Sequence, residues 1–256
     1  MNGPKIYRQR LKIDLLIHDL KGPLGVIETG VTALLTKKER YGTPTEKQDR
    51  VLQRVLRNTK IAKTLVNDTL ELQKSQSGVM SLKNVKLSNL ITDSLLEIFD
   101  LSSLKISRKI KRGQNLDQLK EILGKEGFLF FIEAELWNRK FFLDEIKVKQ
   151  ILRNLLTNAM KYKKSRVELE VDKKNGCLLF SVKDDGKGIP SIYQEKIFES
   201  YFQLDNADET SLRGHGLGLA GVMILVEDMK GKLLLESSAD KGAKFIVHLP
   251  LSENKN

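Results

Sequence analysis

Hydrophobic residues near the N-terminus recur at alternating spacings of four and three: Ile13, Ile17, Leu20, Leu24, Ile27, Val31 and Leu34. That spacing is the seam of a helix that packs against other helices. It predicts a helix from Gly3-Pro4, with proline tolerated in the first turn, to about Lys38. Tyr41-Gly42-Thr43-Pro44-Thr45 then breaks the pattern, and Thr43 or Thr45 is placed to cap a second helix over 46–76. The second helix repeats the spacing with Val51, Val55, Asn58, Ala62, Leu65, Thr69 and Leu72, flanked by Leu52 and Leu56. Two long helices joined by a short turn form a hairpin. One hairpin cannot cover both stripes, whereas two hairpins from two chains can, as a four-helix bundle. A homodimer is therefore expected.

Beyond the polar link Ser75-Gln76-Ser77-Gly78 the pattern changes to mixed helix and strand. Leu87 to Phe99 reads as a helix with Ser88 at its cap, and Leu104-Lys105-Ile106 as the start of a strand. The stretch 115–127 reads as helical, and Phe128-Leu129-Phe130-Phe131-Ile132, within 128–137, as a strand. Asp144 to Lys163 has the strongest helical pattern. Val167 to Val171 alternates as a half-buried strand. Leu178 to Lys183 is a further strand, and Lys232 to Glu236 with Lys244 to Leu249 form a terminal pair. The expected division is a helical hairpin, 1–76, followed by an α/β domain, 77–256.

Composition narrows the class. The chain has 256 residues, 40% of them hydrophobic, so a sizeable core is available. The one cysteine, Cys177, excludes an intrachain disulfide and reads as a small core residue of its strand; a reducing compartment fits. No apolar run approaches the roughly 18 residues of a membrane span, and the first residues lack a signal-peptide core. A soluble, cytoplasmic protein with no transmembrane segment is expected. The net charge is +11, with one cluster at Lys105, Arg108, Lys109, Lys111 and Arg112. No helix-turn-helix, zinc-finger or RNA-binding signature accompanies it, so nucleic acid is not the expected partner. A solvated basic surface or an acidic protein partner fits.

Within the first seam lies Leu16-Ile17-His18-Asp19-Leu20-Lys21-Gly22-Pro23-Leu24. His18 stands one residue past a seam position, beside the buried stripe, and is expected to face water. A rigidly held, exposed imidazole suits a phosphate acceptor. This segment alone is equally compatible with a surface histidine at the edge of a helical seam.

Three further segments suit a nucleotide. Asn154 and Asn158 lie four apart on the strong helix, so both amides project from one face. An amide oxygen is a fitting hard ligand for magnesium. Val182-Lys183-Asp184-Asp185-Gly186-Lys187-Gly188-Ile189-Pro190 follows a strand directly. Asp184 at the strand end can accept a hydrogen bond from an adenine amino group, although an ordinary acidic turn also reads this way. Arg213-Gly214-His215-Gly216-Leu217-Gly218-Leu219-Ala220 precedes an apolar helix, where exposed backbone amides can bind phosphates. Its spacing is neither that of a Walker loop nor that of a dinucleotide fingerprint.

Taken in order, these segments resemble a two-component sensor histidine kinase over about Lys5 to Leu251. The His18 segment is similar to the family's phosphoacceptor box, and Asn154 to Tyr162 to its asparagine box. Asp184-Asp185-Gly186-Lys187-Gly188-Ile189 is similar to the first glycine box, with Asp185 where asparagine is usual. Ile197-Phe198-Glu199-Ser200-Tyr201-Phe202 corresponds to the phenylalanine box, and Gly214 to Ala220 to the second glycine box. The resemblance implies a Bergerat-type α/β sandwich with a mixed sheet, binding ATP and Mg2+ under a lid over about 199–213. It implies Asn158 as the magnesium ligand with Asn154 nearby, Lys161 and Tyr162 near phosphate and nucleoside, and Asp184 reading adenine. The rest of the implied nucleotide set is Gly186, Gly188, Ile189, Phe202, Arg213, Gly214, His215, Gly216, Leu217, Gly218 and Leu219. His215 is expected to contribute backbone only, and His248 to be structural.

The implied reaction moves the ATP γ-phosphoryl group to His18, with Asp19 taking up a proton or holding the ring's tautomer. Lys21 offsets phosphate charge or is a solvated lysine. The group then passes to an aspartate on a response regulator receiver domain supplied in trans. Gly22 stands where many relatives carry threonine or asparagine, which implies weak phosphatase activity, and Gly22-Pro23-Leu24-Gly25 is expected to bend the helix. Few residues precede the first helix, so the signal is expected from a separate sensor protein or from a longer kinase of which this is part. The other readings are a Bergerat ATPase clamp that is not a kinase, and a degenerate docking module.

Overall fold

The computed structural model describes the backbone of residues 3–75, 80–113, 115–199, 202 and 218–251. The side chains of 3–18, 64–65, 67–75 and 101–102 lie outside the description. The chain divides into two compact units, Met1–Ser77 and Gly78–Asn256.

The first unit is a helical hairpin. Helix α1, Gly3–Thr36, is followed by the single turn α2, Lys38–Tyr41, and by α3, Glu46–Ser75. Helix α1 is continuous through Pro23. Thr45 caps α3 in a reciprocal box. The Gln48 N–H donates to Thr45 Oγ1 at 3.3 Å, and the Thr45 N–H donates to Gln48 Oε1 at 2.9 Å. Helices α1 and α3 lie side by side, tied by a Lys63–Glu28 ion pair of 2.7 Å. Alternate seam positions of α1 stay open within this chain: Leu20, Ile27 and Leu34 are 50, 42 and 38% exposed.

The second unit is a five-stranded mixed sheet with helices on one face. Its elements are β1 (Leu82–Lys86), α4 (Leu87–Ser102), α5 (Leu104–Arg112), α6 (Leu116–Gly124), β2 (Phe128–Phe131), α7 (Ala134–Asn138), β3 (Lys140–Asp144) and α8 (Glu145–Tyr162). They continue with β4 (Val167–Lys174), β5 (Cys177–Asp184), α9 (Gly218–Asp228), β6 (Lys232–Ser237) and β7 (Ala243–Pro250). The strand order is β2-β4-β5-β7-β6, parallel between β2 and β4 and antiparallel elsewhere. Strands β1 and β3 form a separate antiparallel pair.

Period-two burial sets the faces. Val167, Leu169 and Val171, Leu178, Phe180 and Val182, and Phe245, Val247 and Leu249 are buried, while Glu168 and Glu170 of β4 and Ile246 and His248 of β7 alternate with them on the other face. Helix α8 meets this inner face with Val148, Ile151, Leu152, Leu155, Leu156 and Ala159. Each large aliphatic side chain buried this way contributes about 1.5–3 kcal/mol. Asp144 ends β3 and caps α8, accepting from the N–H groups of Lys147 at 3.2 Å and Ser81 at 2.9 Å.

Several expectations are corrected. Leu104-Lys105-Ile106 opens helix α5 rather than a strand, because Ile106 and Ile110, four apart, face the core while the five cations point outward. Ser88 does not cap α4. Lys86 occupies that position without a side-chain cap bond, and Ser88 is buried in the first turn. Only Phe128–Phe131 of the 128–137 stretch is a strand, and Trp137 is buried on the short helix α7. Cys177 is only half-buried, since it opens β5 beside the Asn175-Gly176 turn. His248 sits half-buried in β7, opposite Leu179 and Lys232.

The ammonium of Lys147, its side chain only 5% exposed, pairs with Asp228 at 3.0 Å, at the C-terminal end of α9. Helix-end carbonyls also favour a cation there. Removing Asp228 leaves that charge buried and uncompensated. Asp228→Ala is expected to lower the urea-unfolding free energy of this unit by about 3 kcal/mol. Adding Lys147→Met to it is expected to recover much of the loss.

Candidate functional site

The site gathers at one edge of the helical layer, where α8, the end of β5 and the start of α9 meet. Helix α8 must turn its apolar face to the sheet, so Asn154, Asn158 and Lys161, on flanking positions, are left half-buried at its margin. Asn154 Nδ2 donates to the Gly218 carbonyl oxygen at 3.2 Å, tying α8 to the first turn of α9. At the C-terminal turn the Lys161 ammonium lies 4.9 Å from the centre of the exposed Tyr162 ring.

Asp184 is buried at the end of β5, and its Oδ1 accepts from the Gly186 N–H at 2.8 Å. Burial pushes its carboxyl above the ordinary aspartate value and prevails over backbone hydrogen bonds from Gly186 and Ala243; the neighbouring Asp185 charge adds to the rise. Gly186 abuts α8: a Cβ there would lie 2.3 Å from the Tyr162 carbonyl oxygen. Gly188 has φ +73, and its Cβ would lie 2.1 Å from the Ser238 carbonyl oxygen. Both glycines are thus required by contacts within the chain, whatever they do for a ligand.

The loop after Gly186 is fastened to the β6–β7 turn. The Ile189 N–H donates to Ser237 Oγ at 2.8 Å, and Ser237 Oγ donates to the Gly242 carbonyl at 2.8 Å. Gln194 Nε2 reaches the Ile189 and Ser237 carbonyls at 3.0 and 3.1 Å. Sequence reading missed Ser237 and Gln194, and no local signal marks either. Phe202 packs on Tyr193 with ring centres 5.9 Å apart, and Phe198 meets Phe245 edge-on at 6.4 Å. Leu219 is half-buried against the core.

Arg213, Gly214, His215, Gly216 and Leu217 lie outside the described residues, as does most of the expected lid over 199–213. His18 stands on α1 of the first unit, with its side chain outside the description, and Asp19 beside it is exposed. Gly22 lies further along α1, with open space where a side chain would be.

Two sequence families match. The "Histidine kinase-, DNA gyrase B-, and HSP90-like ATPase" family matches residues 143–253, and the "His Kinase A (phospho-acceptor) domain" family matches residues 15–78. The chain belongs to the two-component histidine kinases. This kinase core is similar to the sensor protein RprX of Bacteroides fragilis, at 26% identity over 94% of the chain and 43% of that protein. It is also similar to the circadian input-output histidine kinase CikA of Synechococcus elongatus, at 30% identity over 91% of the chain and 29% of that protein. The chain thus spans less than half the length of these two relatives. In fold it is similar to full-length ShkA, solved in complex with AMPPNP, with a TM-score of 0.63 and 23% identity over 94% of this chain and 46% of that one.

The magnesium expected of such a kinase core suits the residues present. Among the described residues no group of three or more His, Cys, Asp or Glu is placed to cage a metal. Magnesium bound to a nucleotide needs no cage, because phosphate oxygens and water fill most of its sites and one or two protein oxygens suffice.

Asp184 has a consequence for stability. Its folded-state pKa is raised, so its contribution is fully present below the unfolded value and is lost as pH rises through the folded value. At pH 7 Asp184→Asn is expected to raise the melting temperature of the unliganded protein by about 2 °C. The difference from the unmodified chain is expected to vanish in melts at acid pH, where the carboxyl is protonated.

Proposed function

We propose that this chain is an ATP-dependent protein histidine kinase that phosphorylates His18 and passes the group to an aspartate of a separate response regulator. The observation that carries the reading is the meeting of three motif-bearing segments, joined by the Asn154–Gly218 hydrogen bond and the Gly186–Tyr162 contact. The phosphoacceptor match over 15–78, which includes His18, supports the second half of the proposal. The expected division, a phosphotransfer hairpin over 1–76 and a catalytic domain over 77–256, belongs to the same reading.

In this mechanism a His18 ring nitrogen attacks the γ-phosphorus of ATP. The N–P bond forms as the bond to the bridging oxygen breaks, and ADP leaves. The ring proton passes to Asp19 or to water. Asp184 accepts a hydrogen bond from the adenine amino group, Tyr162 lies by the nucleoside, and Lys161 faces the phosphates. Asn158, with Asn154 beside it, would hold magnesium through its side-chain amide oxygen. Gly186, Gly188, Ile189 and Phe202 shape the nucleotide wall, and the segment from Arg213 through Gly214, His215, Gly216, Leu217, Gly218 and Leu219 takes the phosphates on backbone N–H groups. Magnesium, when bound, neutralises charge on the transferring group. The phosphohistidine then donates to a carboxylate of the receiver domain, and input comes from a separate sensor or from a longer kinase.

His18→Ala is expected to abolish labelling by γ-labelled ATP, from at least a thousandfold above background, while nucleotide binding is retained. The label on the unmodified chain is expected to survive alkali and be lost in acid. A clamp ATPase would hydrolyse ATP without keeping label, and a docking module would do neither. Undiminished labelling of the variant rejects His18 as acceptor.

The kinase is proposed to act as a homodimer in the cytoplasm, where ATP and the regulator are found. The open seam residues Leu20, Ile27 and Leu34, with Val51 and Val55 on α3, support a four-helix bundle between two copies. No helix among the described residues is long and apolar enough to cross a membrane. Light scattering of the full chain at micromolar concentration is expected to give twice the 29.1 kDa chain mass. A single-chain mass would contradict the bundle.

A further inference from the structure

We propose that Asp185 is a positioning residue for the nucleotide, its carboxylate fixing the α8-to-β4 loop against the strand end that carries Asp184. The inference rests on the ATP-binding reading above.

Three successive backbone N–H groups converge on this one side chain. Those of Lys164, Ser165 and Arg166 donate to it at 2.9, 3.0 and 3.0 Å, and the Ser165 hydroxyl donates at 2.5 Å. In return the Asp185 N–H donates to the Arg166 carbonyl at 3.3 Å. Consecutive N–H groups in a turn form a concavity that attracts anions. Here an anion of the chain itself occupies it. These bonds hold the Asp185 carboxyl well below the usual carboxylate range, so it is charged throughout the neutral region.

The position of this clamp gives it a role beyond fastening a loop. Lys164 to Arg166 follow the C-cap residue Lys163, just past the last turn of α8 where Lys161 and Tyr162 stand. Asp185 follows directly on Asp184, and Gly186 closes against the Tyr162 carbonyl. The carboxylate therefore ties together the segments that carry the two groups proposed to meet the nucleoside, Tyr162 and Asp184. Asn158 lies a full turn earlier on α8 and is fixed by helix burial instead. Loss of the clamp should loosen the nucleoside end of the site and leave the phosphate end in place.

The ring of donors favours a carboxylate over the amide usual at this position. It accepts through both oxygens and donates through neither, which matches a ring of donors. An amide of the same shape presents an NH2 group to an N–H or O–H donor at one of its two ends.

The test compares the full-length protein with its Asp185→Ala and Asp185→Asn variants in steady-state autophosphorylation and in binding of a fluorescent ATP analogue. The expected result is a rise of about tenfold in KM and in analogue Kd for Asp185→Ala, and a smaller rise for Asp185→Asn. The rate at saturating ATP is expected to stay within about twofold, the signature of lost uniform binding. A lowered melting temperature with unchanged KM would make Asp185 a loop fastener only and overturn the proposal. An equal fall in kcat with no change in KM would also overturn it. Should Asp185→Ala fail to fold, Asp185→Asn decides: a raised KM supports the clamp and an unmodified KM overturns it. An unmodified chain that binds no nucleotide removes the ATP reading itself, and this proposal with it.

Discussion

The ATP-binding unit depends on the burial of one face of helix α8. Val148, Ile151, Leu152, Leu155 and Leu156 are all inaccessible to water, pressed between the sheet and helices α4 and α9. A helix turns about 100° per residue, so a shift of register by one position would drive Asn154 or Asn158 into this core. Burying an unpaired amide costs about 1–3 kcal/mol, and the apolar contacts would be lost as well. The hydrophobic face therefore sets the direction of every polar group at the site's margin.

Charge placement around α8 follows the same logic. Lys149 lies between Asp93 of α4 and Glu145 at distances of 2.6 and 2.8 Å, and Glu145 also meets Lys83 of β1 at 2.5 Å. Burial pulls down the Lys149 pKa, but the hydrogen bonds to the two carboxylates outweigh it and leave the value raised. The network joins β1, α4 and α8 away from the proposed nucleotide wall. At that wall the arrangement reverses. Asp184 is buried, its Oδ1 accepts from the Gly186 N–H, and its carboxyl is pushed up rather than down. A group kept in an unfavourable electrostatic setting is a functional-site candidate rather than a source of stability.

The helical unit shows the opposite economy. The apolar side chains of Leu20, Ile27 and Leu34 on the seam of α1 are left open to water within one chain. The Lys63–Glu28 pair and the Thr45–Gln48 capping box stabilise the hairpin locally but cover none of this surface. A surface apolar at regular seven-residue intervals is one that a second copy can close by symmetry.

Much of this was legible in the sequence for a physical reason: periodic patterns are local. The seam from Ile13 to Leu34, the helix after Asp144 and the alternation in Val167 to Val171 each fix an element and its buried face from neighbours a few residues away. The motifs around His18, Asn158 and Asp184 carry enough of a resemblance to identify a histidine kinase core, and the family matches agree. Other features were not local. Whether Leu104-Lys105-Ile106 extends or coils depended on Ile110 meeting the core one turn later. The β1–β3 pair joins strands separated by four helices and strand β2, and short runs such as Leu82–Lys86 show no clear period of their own. Ser237 and Gln194 gain their parts only because the β6–β7 turn folds back on the loop after Gly188. Asp185 is the sharpest case. As a sequence it is one more acidic residue before a glycine, and only the return of residues 164–166 supplies the donors that make it a clamp. Sequence alone determined the long periodic helices, their inward faces and the chemistry on offer, since these follow from short-range periodicity and residue type. Tertiary structure decided which backbone groups each polar side chain would meet, because those partners lie far along the chain and become neighbours only once the core has closed.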